Sequence, residues 1–175
     1  DEGRLKNFTI REHFLTQLFT LARFRRARAE GTMAALMEFQ AQHKLLFLAY
    51  NETRMRAMGR VLANHEGRGL DEVIRRYGEE LLKALAHPPR YTAMINSLLH
   101  AFGGVSKELS AQERTFFLNS LEEYRDERLP LSVLLHLLRS WAIRFERKYL
   151  LDQALFEPYP LELVEITDSG KGRSR

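Results

Sequence analysis

The segment 38–50 constrains this chain most, because it is apolar on nearly every side when it is drawn as a helix. At 100° per residue its large apolar residues share one broad face, and further apolar residues widen that face. Only Glu38 and Gln42 are clearly placed for water. A helix that is apolar almost all round belongs in the middle of a domain. The sequence therefore predicts a central helix over about residues 33–50.

Two polar side chains, Gln40 and His43, fall inside that apolar face. An unpaired polar group buried there would cost roughly 1–3 kcal/mol. We therefore expect both side chains to be hydrogen bonded within the fold, as a small structural polar core.

The rest of the chain is also typical of helices, since its apolar residues recur at helical spacing and no alternation is long enough for a sheet. Cap-like residues, among them the possible capping boxes that begin at Thr9 and Ser110, separate the segments. Seven of the helices are predicted over about 10–28, 33–50, 51–64, 71–85, 90–102, 130–147 and 148–156. A further helix is predicted to begin at the Ser110 capping box, before residue 130. The predicted fold is an all-α, single-domain bundle of seven or eight helices around the central apolar helix. It spans residues 9–160, with 1–8 as a linker or the remnant of an upstream domain junction and 161–175 as an extended, partly disordered tail.

Composition excludes several kinds of chemistry. The chain has no cysteine, so it holds no disulfide, thiol nucleophile or cysteine-ligated metal or cluster. It has no glycine-rich phosphate loop, nucleophile elbow or His-Glu-x-x-His motif, and its histidines are scattered. We therefore predict no catalytic and no metal site. Because no apolar run is long enough to span a membrane, we expect a cytoplasmic domain without membrane contact, and the start of the sequence is compatible with a piece of a longer protein.

Arginine dominates the positive charge, with 21 Arg and 6 Lys among the 27 basic residues. The planar guanidinium suits phosphate better than an ammonium does. Basic residues crowd the end of the first predicted helix beyond what a helix end needs. Beside the seventh helix they could form a phosphate track, or they could be an ordinary solvated face with salt bridges. The residues concerned are Arg23, Arg25, Arg26, Arg28 and Arg139, with Lys44 and Lys148 at the margins.

Asn96 and His100 lie four residues apart and off the apolar arc of the fifth helix. They could bond a neighbouring helix, or His43 and Gln40, or they could contact a ligand. Some aromatic residues could stack on unpaired bases, although aromatics at helical spacing are more often core. Those not assigned to the core are Tyr50, Tyr91 and Tyr159.

Several blocks in a fixed order resemble the YbgA-like domain, a family long classed as of unknown function. They are Phe39…His43-Lys44…Leu48-Ala49, Met58-Gly59-Arg60-Val61-Leu62-Ala63, Asn96…His100…Gly103, Tyr124-Arg125…Leu129-Pro130-Leu131 and Tyr149-Leu150…Gln153…Phe156…Pro158-Tyr159-Pro160. Gly104 departs from the family, which usually has Tyr there. Glu2-Gly3-Arg4-Leu5 with Arg11-Glu12-His13-Phe14 resembles the junction that follows a cysteine-rich desulfidase domain in fused proteins.

The resemblance implies a role in RNA modification. In such fusions the upstream domain, related to thiouracil desulfidase, holds an iron–sulfur cluster and removes sulfur from 4-thiouridine in tRNA. This chain would then be a non-catalytic tRNA-binding module without a cofactor of its own, attached to or associated with the desulfidase domain, and it could also form a homodimer. The expected RNA contacts are Arg23, Arg25, Arg26, Arg28, Lys44, Asn96, His100, Arg139 and Lys148.

Two other functions remain open from the sequence. One is a protein-interaction or dimerisation module that does not bind nucleic acid. The other is an independent small-molecule enzyme that uses His43, Asn96 and His100, which would need these side chains to converge on one open cavity.

Overall fold

The computed structural model describes residues 7–164, which form seven α-helices, one short 3-10 helix and no strand. This confirms the predicted all-α, single-domain bundle. The predicted linker before residue 7 and the predicted tail beyond residue 164 lie outside the described residues. The helices are α1 (Phe8–Glu30), α2 (Met33–Ala63), α3 (Leu70–Ala84), α4 (Tyr91–Gly103), α5 (Ala111–Arg125), α6 (Leu131–Arg144) and α7 (Lys148–Leu151), followed by the 3-10 helix Leu161–Leu163.

Helix α2 is the central element. It packs against α1, α3 and α4. Leu46 and Ala49 belong to a hydrophobic cluster shared with α4, α5, α6 and the segment after α7. Phe39 and Phe47 belong to a second cluster shared with α1 and α3. The helix is apolar nearly all round because it serves two cores at once.

The predicted boundary between residues 50 and 51 is a kink inside α2. Asn51 has a non-helical backbone, with φ −162° and ψ 99°. Its side-chain oxygen accepts a hydrogen bond from the Arg54 backbone N–H at 3.1 Å. This is N-cap geometry, so Asn51 begins the second half of the helix as the sequence predicts.

Other helix ends depend on local sequence. Thr32 caps α2, and Ser110 with Glu113 forms a complete capping box on α5. The start of α1 differs from the prediction, because Asn7 accepts from the Ile10 N–H and is the cap in place of Thr9. Asparagine is at least as good an N-cap as threonine, so the helix begins one half-turn earlier.

Gln153 joins the end of the chain to the middle of α2. Its Oε1 accepts from the Leu45 N–H at 3.0 Å, and its Nε2 donates to the Ala41 carbonyl at 2.7 Å. Ala154 N–H donates to the Gln42 carbonyl at 2.8 Å. In a regular α-helix the Leu45 N–H donates to the Ala41 carbonyl. The Gln153 amide thus bonds both of these groups. These contacts also explain why α7 ends well before the predicted residue 156.

Candidate functional site

Gln40 and His43, the predicted polar core, have different surroundings. The Tyr77 hydroxyl donates to Gln40 Oε1 at 2.5 Å. His43 is 1% exposed, and its Nδ1 donates to the Phe39 carbonyl of the preceding turn at 2.8 Å. Its ring lies against the rings of Phe39 and Phe47, with centroids 4.2 and 5.5 Å away. Burial lowers the pKa of His43 to about 4, so the imidazole is neutral at physiological pH.

The structure does not bring His43 to an open surface. His43 Nε2 is buried and has no hydrogen-bond partner among residues 7–164. His100 is exposed on α4, and Asn96 is half-buried there. These three side chains therefore do not share the open cavity that the small-molecule enzyme hypothesis needs.

Three arginines near the end of α1, which we call the α1 arginine cluster, are exposed: Arg25, Arg26 and Arg28. Within the described part of the chain none of them forms a hydrogen bond or an ion pair. Elsewhere most arginines on helical surfaces are paired with carboxylates, as on α2, α3, α5 and α6. The cluster is therefore a local concentration of positive charge that forms no ion pair with a carboxylate of residues 7–164.

Arg23 and Arg139 meet at Glu157. The Arg23 guanidinium donates to the carbonyls of Glu157 and Pro158 at 3.1 and 3.0 Å. Arg139 approaches the Glu157 carboxylate at 3.5 Å. Burial lowers the pKa of Arg23, as does the nearby charge of Arg26. Arg23 thus fixes the segment after α7 to α1, and it connects the arginine cluster to Arg139.

The other predicted RNA contacts are spread over three helices. Lys148 pairs with Asp152 at 2.6 Å. Lys44 is exposed on α2. Lys44, Asn96 and His100 form no hydrogen bond or ion pair with any residue from 7 to 164. They are available to a ligand, although the structure records no contact that joins them.

A pocket that the sequence does not predict lies between α1, α2 and the C-terminal segment. It has a volume of about 300 Å³. Its polar edge consists of Glu12, His13, Thr16 and Tyr50, and we call it the Glu12 pocket. The remaining walls are largely apolar: Phe8, Thr9, Leu46, Pro88, Pro89, Met94, Tyr124, Leu131, Leu135, Leu155 and Pro158.

The polar edge of the Glu12 pocket is ordered by its own hydrogen bonds. His13 Nδ1 lies 3.1 Å from the Tyr50 hydroxyl, and the two rings stack with centroids 5.6 Å apart. Burial raises the pKa of Tyr50 to about 12, although a hydrogen bond from Thr16 acts to lower it. Burial lowers the pKa of His13 and raises that of Glu12. The protonated Tyr50 hydroxyl can donate to Nδ1, which leaves the proton of the neutral His13 ring on Nε2.

The position of Glu12 explains why the pocket was missed. In the sequence Glu12 looks like the N3 residue of a capping box whose N-cap is Thr9. Because α1 begins at the Asn7 cap, Glu12 is not used by the helix end. Within the described residues it makes no hydrogen bond and no ion pair, and it lines the pocket. The available signal was Tyr50, an aromatic residue that the helical pattern did not assign to the core.

No helix within residues 7–164 is long and apolar enough to cross a membrane. In the same range no group of three or more histidine or acidic side chains is placed to hold a metal ion.

Comparison with known proteins identifies the family to which this chain is similar. Residues 44–160, which begin after α1, match the family described as "Protein of unknown function (DUF1722)". The "Uncharacterized protein YbgA" of Escherichia coli (strain K12) is 26% identical over 158 residues, which cover 89% of this chain and 93% of that protein. No solved structure matches. Since the family match spans more than half of the chain, the chain belongs to this family of YbgA-like domains of unknown function.

Proposed function

We propose that this chain is a non-catalytic RNA-binding module that holds tRNA for an iron–sulfur desulfidase domain acting on 4-thiouridine. The α1 arginine cluster is the observation that carries RNA binding. The desulfidase and 4-thiouridine part rests on the resemblance of the sequence blocks to such fused proteins.

The cluster has the chemistry that phosphate requires. Guanidinium groups donate paired hydrogen bonds to phosphate oxygens, and binding releases counterions from the nucleic acid. Arg25, Arg26 and Arg28 need not break an ion pair with any described residue before they bind. Cations at this end of α1 are also favoured by the helix dipole, so the fold tolerates their concentration there.

The surrounding residues could extend the contact. The Arg139–Glu157 and Lys148–Asp152 pairs are exposed, with Arg139 41% and Lys148 85% accessible. Exposed pairs contribute only about 0–1 kcal/mol, so a phosphate could replace either carboxylate at little cost. Arg23 would position the cluster through its bonds to main-chain carbonyls. Lys44, Asn96 and His100 would supply further contacts on α2 and α4.

Filter binding of the chain to bulk tRNA at low and high salt tests RNA binding, with double-stranded DNA of equal length as the competitor. We expect affinity for tRNA to fall steeply with salt. The double variant Arg25→Glu/Arg26→Glu should weaken binding and reduce the slope of log affinity against log salt by about 2.

The matched control is Arg60→Glu/Lys107→Glu, which changes net charge by the same amount. Arg60 and Lys107 are exposed and form no ion pair in the described region. Equal loss of binding in both double variants would show that overall charge, and not the α1 arginine cluster, determines binding. Absence of salt-dependent tRNA binding by the unmodified chain would refute the proposal.

A second candidate is the protein-interaction or dimerisation module. Its support is a stripe on α1 at four-residue spacing, which we call the α1 apolar stripe: Ile10, Phe14 and Leu18, with exposed fractions of 45%, 45% and 47%. Contiguous apolar surface of this kind often marks a protein contact. The stripe and the arginine cluster occupy different parts of α1, so each can be tested without disturbing the other.

A further inference from the structure

The Glu12 pocket combines apolar walls with one polar edge. Thr9, Glu12, His13 and Thr16 lie on one side of α1, and Tyr50 faces them from α2. About 300 Å³ is at the lower end of the range for small-molecule sites. This size fits a ligand with one or two fused rings better than it fits a peptide or an extended cofactor.

We propose that the Glu12 pocket binds a planar heteroaromatic ring whose edge carries two adjacent N–H donors, as in guanine or a pterin. The Glu12 carboxylate would accept both N–H groups, and the stacked His13 and Tyr50 rings with the apolar walls would hold the plane of the ring.

The charge of the pocket argues for donors in the ligand. Glu12 is its acidic residue, and it has no hydrogen-bond partner among the described residues. Burial raises the pKa of Glu12, although nearby Arg11 opposes this. A carboxylate that has lost part of its hydration gains more from ligand N–H groups than an exposed one does. An anionic group placed beside Glu12 would be repelled, so free phosphate is not the ligand chemistry that this edge selects.

The two oxygens of the Glu12 carboxylate would make the pocket specific for a ligand with two adjacent N–H groups. A carboxylate presents two acceptors side by side, which match two N–H groups on neighbouring ring and exocyclic positions. Guanine has both, whereas inosine has the ring N–H and lacks the exocyclic amine. With Tyr50 donating to Nδ1, the neutral His13 ring would carry its proton on Nε2 and could donate it to a ring acceptor of the ligand.

This inference stands apart from the proposed function, because none of the arginines of the α1 arginine cluster lines the Glu12 pocket. The guanine-type edge could belong to a free nucleoside or pterin, or to an unpaired nucleotide within an RNA strand. The chemistry at Glu12 is the same in each case.

Isothermal titration calorimetry of the full chain tests the proposal with guanosine, inosine and neopterin as probes. We expect guanosine and neopterin to bind at least tenfold more tightly than inosine. The variant Glu12→Gln should lose this preference, because the amide offers one acceptor in place of two. Tyr50→Phe keeps the ring and removes the hydroxyl that orders His13, so it should weaken guanosine binding less than Glu12→Gln does.

The control variant is Glu30→Gln, which makes the same charge change on the same helix outside the pocket and should bind as the unmodified chain does. Thermal unfolding of each variant verifies that it is folded. Two RNA hexamers that differ only in a central guanosine or inosine distinguish the two sources of the ligand. If the pocket takes a nucleotide within a strand, the guanosine hexamer should bind more tightly than the inosine hexamer. If it takes only a free nucleoside or pterin, the two hexamers should bind equally.

Failure of guanosine and neopterin to bind, or equal binding by Glu12→Gln and the unmodified chain, would overturn this inference. The titration is repeated with Arg25→Glu/Arg26→Glu. Guanosine binding that persists in this variant while tRNA binding is lost supports the pocket independently of the cluster. Loss of guanosine binding in this folded variant would contradict the assignment to Glu12.

Discussion

His43 lies at the centre of the molecule with one of its two ring nitrogens unpaired. Nδ1 must carry the proton, because its partner is the Phe39 carbonyl. Nε2 is then an acceptor, and it has no donor among residues 7–164. The ring contacts His13–Tyr50 and Phe24–Phe39 set an antiparallel register between α1 and α2. That register places Thr20 opposite His43, and the buried Thr20 hydroxyl likewise has no hydrogen-bond partner within the described part of the chain.

The titration of His43 should make stability fall in acid. Its pKa is about 4 in the folded chain against a usual 6.5, so between these values the unfolded chain takes up a proton that the native chain refuses. The stability loss should reach about 2–3 kcal/mol at pH 4.5 relative to pH 7.5. Urea unfolding at the two pH values measures it.

The comparison variant for this prediction is His43→Leu, which removes the titrating group and should lose correspondingly less stability on acidification. His65→Leu, at an exposed position, serves as the control and should behave like the unmodified chain. Identical pH dependence in the unmodified chain and His43→Leu would contradict the assigned origin of the acid sensitivity.

At the scale of elements, helix positions could be predicted because they depend on local sequence. Apolar spacing, Gly31, Thr32, Asn51 and the Ser110 capping box place most boundaries within a few residues. The contacts of individual side chains could not be predicted in this way. Arg23 looked like a free surface cation, yet its partners are carbonyls 134 and 135 residues away. Glu12 looked like part of an N-terminal cap at Thr9, but the N-cap of α1 is Asn7.

Gln153 is the clearest example of such a long-range contact, and its substitution is a test of the α2 geometry. We expect Gln153→Ala to lower the free energy of unfolding by about 1–3 kcal/mol, because two buried hydrogen bonds are lost. Gln153→Glu should cost at least as much. Its second oxygen would face the Ala41 carbonyl, where the native amide donates. Urea unfolding gives both values.

The matched control for the Gln153 variants is Gln112→Ala, at an exposed position on α5. It should change stability by less than about 0.5 kcal/mol, as surface substitutions usually do. A Gln153→Glu variant as stable as the unmodified chain would show that the orientation of the amide does not matter to α2.

At the scale of the whole molecule, α1 differs from the other long helices. It packs on α2 along one side, through residues of the cluster shared with α3. A more exposed side of α1 carries the α1 apolar stripe, while its end carries the α1 arginine cluster. The family model begins after α1, so both surfaces lie outside the residues that it matches, although the similarity to YbgA covers 89% of the chain and so includes part of α1.

The α1 apolar stripe predicts self-association that salt does not weaken. We expect light scattering after size exclusion to show a dimer at high protein concentration, in low and in high salt. Phe14→Ser/Leu18→Ser should give a monomer, because it removes exposed apolar area and leaves the core intact. Its thermal stability should fall modestly, because both side chains are more than half buried and serine favours helix less than leucine does, but the variant should remain folded. A chain that is monomeric at every concentration would contradict a dimerisation role for this stripe.

The amide of Gln153 inside α2 has a consequence for how the protein is made. On the ribosome, α2 emerges long before residue 153 has been synthesised. Until then the Leu45 N–H and the Ala41 carbonyl lack the partner that they have in the finished fold. The nascent chain can form α1, α2 and α3 early, but the contacts that fasten the segment after α7 to α2 can form only after residue 153 has left the exit tunnel. The emergence of residue 153 from the ribosome, and not the appearance of the apolar helix, should therefore set the moment at which this domain becomes resistant to proteases.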